Sequence, residues 1–293
     1  MKSVQWRLVA DRPEIIISGL VRDCARSLPR LLKSFVKLGR KLPAWRYIFI
    51  ENGSVDGSRE ILNAFHARHG NGQLLALDGL EAEFPQRTHR LAHLRNMTHD
   101  LLFDRLGSTD GKYLLLLDMD GANSWVDTHR IARLVRHDDG SWAGIFANQS
   151  RNYYDLWSLR HPVYGPTDVW KEVRERPAGM THEEAVDAFV KARRFSLPPD
   201  MGRIRVDSAF GGLGLYRLAD ITGCRYVGLD EEGEEICEHV DFHRDVRRRG
   251  GRLYIDTALI NGSGVQPHDY EPSRFKLTKQ AVRRQIARIR NPN

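Results

Sequence analysis

The stretch that most constrains the fold of this chain is an apolar run at 113–117 that ends in two acidic residues, Asp118 and Asp120. The run is too short to span a membrane, and its length fits a buried β-strand. A strand that is apolar on both faces is typical of a parallel sheet covered by helices on both sides. The two carboxylates would then emerge at the carboxyl end of the strand, where open α/β sheets bind their ligands. Such a pair can hold a hard divalent cation, and the cation can hold phosphates; the alternative is an acidic surface loop.

Short apolar segments alternate with helical patterns through the first half of the chain. The expected strands are 15–17, 47–50, 74–77 and 113–117. This alternation predicts parallel βαβ units. The later chain is less regular: we expect a helical insertion at about 161–203, strand-like sequence at 206–216 and 252–255, and a helix near Glu238.

Length and composition fit one α/β domain. The chain has 293 residues, with 45 Lys and Arg against 38 Asp and Glu, and a net charge of +7. We place the domain at 1–272 and a basic amphipathic segment at 273–293. No stretch is apolar enough for a transmembrane helix or a signal peptide. The three cysteines lie far apart, without the spacing of a metal site or a disulfide framework, so we expect a cytoplasmic protein.

Basic residues concentrate in two groups, at 244–252 and 276–290. Apolar residues accompany the second group, namely Phe275, Val282, Ile286 and Ile289. Our hypothesis is that this segment binds the anionic inner face of a membrane peripherally. The alternatives are that it packs on the domain, or that both groups are solvated helix faces. Nucleic acid is not an expected partner, because aromatic residues do not interleave with the basic runs.

Four segments occur in an order that is characteristic of one class of enzyme. They are 21–25 after the first strand, 51–58 after the second, the Arg-Asn pair at 95–96, and the acidic pair at 118–120. Together they resemble the GT-A class of nucleotide-sugar glycosyltransferases over most of residues 13–270. A looser similarity is to capsule-associated mannosyltransferase-type proteins and their bacterial relatives. It is carried by 153–160, 210–216 and 237–243.

The resemblance implies a GT-A-like, Rossmann-related α/β fold with a mostly parallel central sheet flanked by helices. It also implies a hexosyltransferase that takes a sugar from a nucleotide-diphosphate sugar donor. The acceptor would be a hydroxyl of a glycan or lipid-linked glycan, in surface polysaccharide biosynthesis. Mn²⁺ or Mg²⁺ would neutralise the diphosphate as the glycosidic bond breaks. The donor sugar, the nucleotide and the stereochemistry stay open.

Donor-binding residues follow from these motifs. We expect Asp120 to coordinate the metal, and Asp118 to bind the metal or the ribose. In the turn after the second strand, Glu51 is expected to accept hydrogen bonds from ribose hydroxyls and Asp56 from the base. Asp56 also precedes small residues that suit a helix start, so helix capping is a second interpretation, compatible with the first.

Phosphate contacts are expected from arginine side chains, because a guanidinium group matches phosphate oxygens. The candidates are Arg22, Arg90 and Arg95, of which the resemblance favours Arg22 and Arg95; the alternative for each is a structural ion pair. Gly211 and Gly212 lie too late in the chain, and at the wrong spacing, for a dinucleotide-binding loop. We expect their backbone to approach the donor sugar or acceptor closely, with a plain bend as the alternative.

The densest ionisable cluster surrounds Glu238. Glu238 and Asp241 share one helix face and are candidates for the base that removes the acceptor proton if the enzyme inverts configuration. Stabilisation of the helix N-terminus is the alternative for Glu238. His239 and His243 share another face, but the Glu of H-E-x-x-H is absent, so no zinc site is expected. His268 is the third metal ligand that the resemblance implies.

Two other classes of protein fit parts of the sequence. A metal-dependent sugar nucleotidyltransferase is also α/β and also binds diphosphates. The segment at 18–23, after the first strand, lacks the glycine- and Arg/Lys-rich phosphate loop of that class. A non-enzymatic, basic nucleic-acid-binding protein would leave the acidic strand end unexplained.

Overall fold

A computed structural model describes residues 13–123 and 125–262 of the chain. Its centre is one sheet of eight strands. The strands are Glu14–Val21 (β1), Ala44–Asn52 (β2), Gly72–Leu77 (β3), Lys112–Asp118 (β4), Gly144–Asn148 (β5), Arg203–Val206 (β6), Leu213–Arg217 (β7) and Leu253–Ile260 (β8). They lie in the order β3-β2-β1-β4-β7-β5-β8-β6, and β6 and β7 run opposite to all the others. The mostly parallel sheet predicted from the sequence is therefore confirmed.

The chain reverses its direction of travel across the sheet at β1. From β1 it moves to β2 and β3 on one side, and it then returns to place β4 on the other side of β1. β1 pairs in parallel with both neighbours, so that Ile17 lies opposite Tyr47 on β2 and Leu115 on β4. The carboxyl ends of β1 and β4 are therefore adjacent, at the position where doubly wound sheets bind their ligands. We call this position at the edge of the sheet the crevice.

Helices cover both faces of the sheet. They are Leu28–Gly39 (α1), Ser58–His69 (α2), Leu80–Glu83 (α3), Arg87–Phe103 (α4), Thr128–Arg136 (α5), Val169–Arg174 (α6), His182–Ala185 (α7), Leu218–Ile221 (α8) and Glu238–Arg248 (α9). α1, α2 and α5 pack with Ile15 and Ile17 of β1 on one face, whereas α4, α6 and α9 pack with Ile16 on the other. This burial on both faces explains the uninterrupted apolar runs of β1 and β4.

The helices beside the crevice begin at the carboxyl edge of the sheet. α1 carries Pro29 in its first turn, where the fixed φ of proline suits a helix, and it buries Leu31 and Phe35. α5 is capped by Asp127, whose side chain accepts the backbone N–H groups of His129 and Arg130. Both helices thus direct their N-terminal ends towards the crevice.

The region between β5 and β7 departs from regular βα alternation. The segment predicted as a helical insertion contains α6, α7 and a π-helical turn at Val186–Val190. The strand-like sequence expected over 206–216 is not one strand. It is broken because Gly211 and Gly212 adopt positive φ angles of 62° and 79°, which end extended structure.

No helix in the ranges 13–123 and 125–262 is long and apolar enough to cross a membrane. The amphipathic segment predicted at 273–293 lies outside the described residues.

Buried histidines make stability depend on pH. Burial lowers the pKa of His99 to about 4 and that of His243 to about 3. Both rings are neutral in the folded protein, whereas in the unfolded chain they take up protons near their ordinary pKa of about 6.5. We expect the free energy of unfolding to fall as the pH is lowered from about 6.5 towards 4, by up to about 1.4 kcal/mol per pH unit for each histidine.

Urea unfolding at a series of pH values measures this slope. His99→Phe keeps an aromatic ring among Phe103, Tyr226 and Phe242. Unfolding of the variant should take up about one proton fewer, so its free energy of unfolding should depend less steeply on pH. An unchanged slope would contradict the contribution assigned to His99.

Candidate functional site

Two loops at the carboxyl edge, after β1 and β2, form one wall of the crevice and are fixed to each other. The backbone N–H of Ala25 donates to Asp56 at 2.9 Å, and that of Cys24 donates to the hydroxyl of Ser58 at 2.8 Å. Asp23, whose φ is 52°, accepts the N–H of Val55 at 2.9 Å. These bonds hold the wall in one conformation.

Asp56 is a structural residue of this wall. Besides Ala25, its carboxylate accepts the N–H of Ser58 at 3.1 Å and the hydroxyl of Ser58 at 2.6 Å, at the first residue of α2. Burial acts to raise the pKa of Asp56, but these hydrogen bonds outweigh it and lower the pKa. Asp56 thus secures the start of α2, and its contact with a base stays a prediction.

The acidic pair lies beside this wall. Asp118 ends β4 with its side chain 32% exposed. Asp120 accepts the N–H of Ala122 at 2.9 Å. The hydroxyl of Ser27 at the start of α1 donates to the carbonyl of Met119 at 2.7 Å, so the loops after β1 and β4 are joined directly.

Negative charge accumulates at the pair. Burial, and after it the neighbouring charges of Asp120 and Asp155, raise the pKa of Asp118 to about 7, although Arg95 opposes them. Within the described part of the chain, no lysine or arginine forms an ion pair with Asp120 or Asp155. An additional cation at this position would relieve the repulsion.

Gly211 and Gly212 form the third side of the crevice, directly before β7. The N–H of Asp118 donates to the carbonyl of Gly212 at 2.9 Å. A Cβ on Gly212 would lie 2.8 Å from the hydroxyl of Tyr154, and one on Gly211 would lie 2.8 Å from the carbonyl oxygen of Ala147. Both positions therefore require glycine because of the protein's own packing.

Buried amides that the sequence analysis missed lock this backbone. Asn123 donates to the carbonyls of Asp118 and Gly212 at 2.7 and 2.6 Å. Asn261 donates to the side-chain oxygen of Asn123 at 2.8 Å and to the carbonyl of Gly211 at 2.7 Å. Asn261 directly follows β8, a strand that ends at the same edge as β4, and that position was the available signal.

Arg95 reaches the acidic pair from α4, on the opposite face of the sheet. Its Nε donates to Glu238 at 3.1 Å, and its Nη2 lies 3.9 Å from Asp118. Arg95 is 5% exposed and Glu238 is 4% exposed. The guanidinium also lies over the rings of Phe210 and Tyr226, at 5.4 and 5.8 Å from their centroids. The N-terminus of α9 is thus joined to the end of β4 through a buried ion pair.

Two further residues of the site, Tyr154 and Asp155, received no role from the sequence. The hydroxyl of Tyr154 is buried and has no hydrogen-bond partner among the described residues. Burial, followed by the charges of Asp118 and Asp155, raises its pKa well above the ordinary value. Asp155 accepts the N–H of Gly211 at 3.0 Å and the hydroxyl of Ser158 at 2.7 Å. Their place shortly after β5 was the signal that could have found them.

Two of the expected donor-binding residues already have protein partners. Glu51 is fully buried, accepts the N–H of Ser54 at 2.5 Å and pairs with Arg59. Arg22 is half exposed in the loop after β1 and pairs with Glu81.

The remaining candidates contact other residues of the protein or lie outside the described residues. Arg90 donates to the carbonyl of Phe84 at 2.6 Å. Asp241, on α9, pairs with Arg244 at 2.7 Å, and burial raises its pKa. His268 lies outside the described residues.

The two histidines of α9 are packing residues. His243 forms hydrogen bonds with the hydroxyls of Ser208 and Tyr216, at 2.8 and 2.9 Å. His239 stacks on Phe210 at a centroid distance of 4.0 Å, and both of its ring nitrogens lack a partner in the described ranges. These contacts fix α9 against the segment that precedes β7.

Comparison with solved structures finds glycosyltransferases of the GT-A type that the motifs resemble. The mannosyltransferase PcManGT from Pyrobaculum calidifontis, solved with GDP-Man and Mn²⁺, matches at 12% identity and a TM-score of 0.46, over 89% of this chain and 59% of that one. S. aureus TarS in complex with UDP-GlcNAc matches at 10% identity and a TM-score of 0.48, over 94% of this chain and 65% of that one. GalNAc-T7 with UDP, GalNAc and Mn²⁺ matches at 15% identity and a TM-score of 0.45, over 88% of this chain and 46% of that one.

The chain spans less than two thirds of the length of each of these structures. No protein-family profile and no curated protein sequence matches it.

Proposed function

We propose that the protein is a metal-dependent glycosyltransferase. It would move a sugar from a nucleotide-diphosphate sugar to a hydroxyl of a glycan or glycolipid, in the synthesis of a surface polysaccharide. The observation that carries this proposal is the acidic pair, Asp118 and Asp120, at the point where the strand order reverses. Mutually repelling carboxylates in such a crevice suit a cation and, bound to it, a diphosphate.

The pair fits Mn²⁺ or Mg²⁺, because such ions bind through one or two carboxylates and fill their other positions with phosphate oxygens and water. In the described ranges, no group of three His, Cys, Asp or Glu side chains is arranged as a metal site. We propose Asp118 and Asp120 as protein ligands, with His268 as a third. When bound, the ion acts as a Lewis acid on the diphosphate.

The side chains around the pair have roles that follow from their contacts. Arg95 is held by Glu238 and has further N–H groups for phosphate oxygens. On the nucleotide side we propose that Arg22 contacts phosphate, and that Glu51 and Asp56 fix the turn on which ribose and base lie.

Proton transfer from the acceptor is assigned to α9. Glu238 is held by the buried Arg95, whereas the partner of Asp241 is the half-exposed Arg244, and burial raises the pKa of Asp241 towards the range in which a general base works best. If the enzyme inverts configuration, Asp241 is the proposed base and Glu238 positions Arg95. In a retaining enzyme, Asp241 would position the acceptor.

Asp241→Asn is expected to lower kcat by about 10²–10⁴-fold with little change in nucleotide affinity, because an amide keeps the shape but cannot take the proton. Glu238→Gln keeps an oxygen for the Nε of Arg95 and should cost much less. Steady-state kinetics combined with nucleotide titration measures both. The reverse ranking would make Glu238 the base, and full activity of both variants would remove α9 from proton transfer.

The proposed function is tested by incubating the protein with a panel of GDP- and UDP-sugars in Mn²⁺ and measuring release of the nucleotide. We expect release with one class of donor and its loss in excess chelator; NMR of the anomeric product then gives the stereochemistry. Pyrophosphate release from a nucleoside triphosphate and a sugar phosphate would instead identify a nucleotidyltransferase. No reaction with, and no metal-dependent binding of, any nucleotide sugar would refute the proposal.

A further inference from the structure

The surface formed by α1 and α5 carries only positive charge. The helices pack against each other on one face of the sheet, and neither contains an acidic residue. Lys and Arg side chains point outward from both of them and from the end of α1. These side chains, which we call the basic face, are Arg30, Lys33, Lys37, Arg40, Arg133 and Arg136.

The charges of the basic face are not neutralised within the described part of the chain. None of its side chains pairs with a carboxylate there, and Arg136 donates to a backbone carbonyl instead. On the opposite face of the sheet the arginines of α9 are paired: Arg244 lies 2.7 Å from Asp241, and Arg247 lies 3.0 Å from Asp207. The basic group noted in the sequence at 244–252 is thus partly neutralised, whereas the charge of α1 and α5 stays available to a partner.

The basic face exposes charge without apolar surface. The apolar sides of the helices, including Leu31, Phe35, Ile131 and Leu134, are already buried against the sheet. The large apolar side chains that are exposed in the described chain are on neither helix; they are Val55, Trp125, Val163, Met201 and Val227. The basic face therefore has neither an apolar anchor nor an aromatic ring on which a nucleobase could stack.

We infer that the basic face docks on an anionic membrane surface. α1 is about 18 Å long, and packed helices lie about 8–10 Å apart, so the charges are spread over a broad, shallow area. Such an area matches a layer of acidic headgroups, whereas a single nucleic-acid strand requires a groove with stacking platforms. This inference does not depend on the proposed function, and it concerns residues other than the segment at 273–293.

Docking by the basic face also determines how the crevice is oriented relative to the membrane. Ser27 and Asp127 precede the two helices at the carboxyl edge of the sheet, beside the acidic pair. With α1 and α5 against the headgroups, that edge stays uncovered and opens along the membrane surface. A substrate held in the membrane would reach the crevice laterally.

The test is co-sedimentation of the full chain with vesicles of phosphatidylcholine alone or with about one-third phosphatidylglycerol. We expect binding to the anionic vesicles only, weakening as salt shortens the Debye length below about 8 Å. Lys33→Glu/Lys37→Glu/Arg133→Glu should weaken binding by at least about a hundredfold, because each basic residue near an anionic surface adds roughly a factor of five. The matched control, Lys171→Glu/Arg174→Glu/Arg248→Glu, reverses exposed charges on the opposite face and should bind like the wild type.

Circular dichroism and thermal melting establish that both triple variants are folded. A version of the first triple variant with glutamine at the same three positions removes the positive charge without introducing repulsion from the anionic surface. Undiminished binding of the first triple, or equal loss in the control, would overturn the assignment to α1 and α5. Failure of the wild type to bind anionic vesicles would overturn it as well. Salt-sensitive binding to a single-stranded RNA, without binding to vesicles, would make the partner a nucleic acid.

Discussion

Replacing Asp120 with asparagine is expected to abolish sugar transfer while the fold stays intact. The amide oxygen can still accept the N–H of Ala122, so the turn after β4 keeps its hydrogen bond, but half of the charge that attracts the cation is removed. A bound metal contributes several kcal/mol to stabilising the developing charge, so we expect a loss of about a thousandfold or more. Transfer assays with titrated Mn²⁺ measure it.

Thermal unfolding provides an independent readout of the same change. Mn²⁺ at about 100 times its Kd should stabilise the wild type by about 2.7 kcal/mol, and this gain should disappear in Asp120→Asn. Asp110→Asn is the matched control, because Asp110 precedes the same strand at the opposite edge of the sheet. Full transfer by Asp120→Asn, or wild-type activity in excess chelator, would contradict the metal-dependent mechanism.

Arg95→Met should be the most destabilising single change at the site. It leaves the carboxylate of Glu238 buried without its partner, and breaking a buried pair in this way costs about 3–5 kcal/mol. Arg95→Met/Glu238→Leu removes both charges and should recover most of that loss, yet remain inactive because the guanidinium is absent. Denaturant unfolding of the two single variants and the double variant gives the coupling between the side chains.

The control for this cycle is Arg225→Met, which breaks a half-exposed ion pair with Asp100 on the same face of the sheet. Exposed pairs contribute about 0–1 kcal/mol, so that variant should be nearly as stable as the wild type. If Arg95→Met lowered the free energy of unfolding as little as Arg225→Met, the ion pair would contribute little to holding α9 against β4. If the double variant were as unstable as Arg95→Met, the cost would lie in lost packing over Phe210 and Tyr226.

The sequence predicted those parts of the fold that depend on local pattern. β1, β2 and β4 are apolar on both faces, so their burial and parallel pairing could be inferred from the runs themselves. The acidic pair was predicted because it directly follows such a run. The helix near Glu238 was predicted for a similar reason, because the residues that share its faces are only three or four positions apart in the chain.

Contacts between distant segments could not be predicted in the same way. Arg95 and Glu238 are 143 positions apart, and the chain gives no local sign that they meet. Glu51 has the residue type of a ribose ligand, yet its oxygens are taken by Ser54 and Arg59. Asp155 was overlooked because its proximity to Asp118 depends on β7 being inserted between β4 and β5.

That insertion of β7 determines when the crevice can first exist during folding. Leu115 of β4 pairs with Leu215 of β7. This edge of β4 therefore stays unpaired until about a hundred further residues have been synthesised and β7 has folded back against β4. Until then an apolar strand edge is exposed, which is the kind of surface that promotes aggregation in nascent chains. Gly211 and Gly212 arrive with β7, so the third side of the crevice is absent from any intermediate that contains only the first half of the chain. Ligand-binding competence should therefore appear together with the last, long-range step of folding.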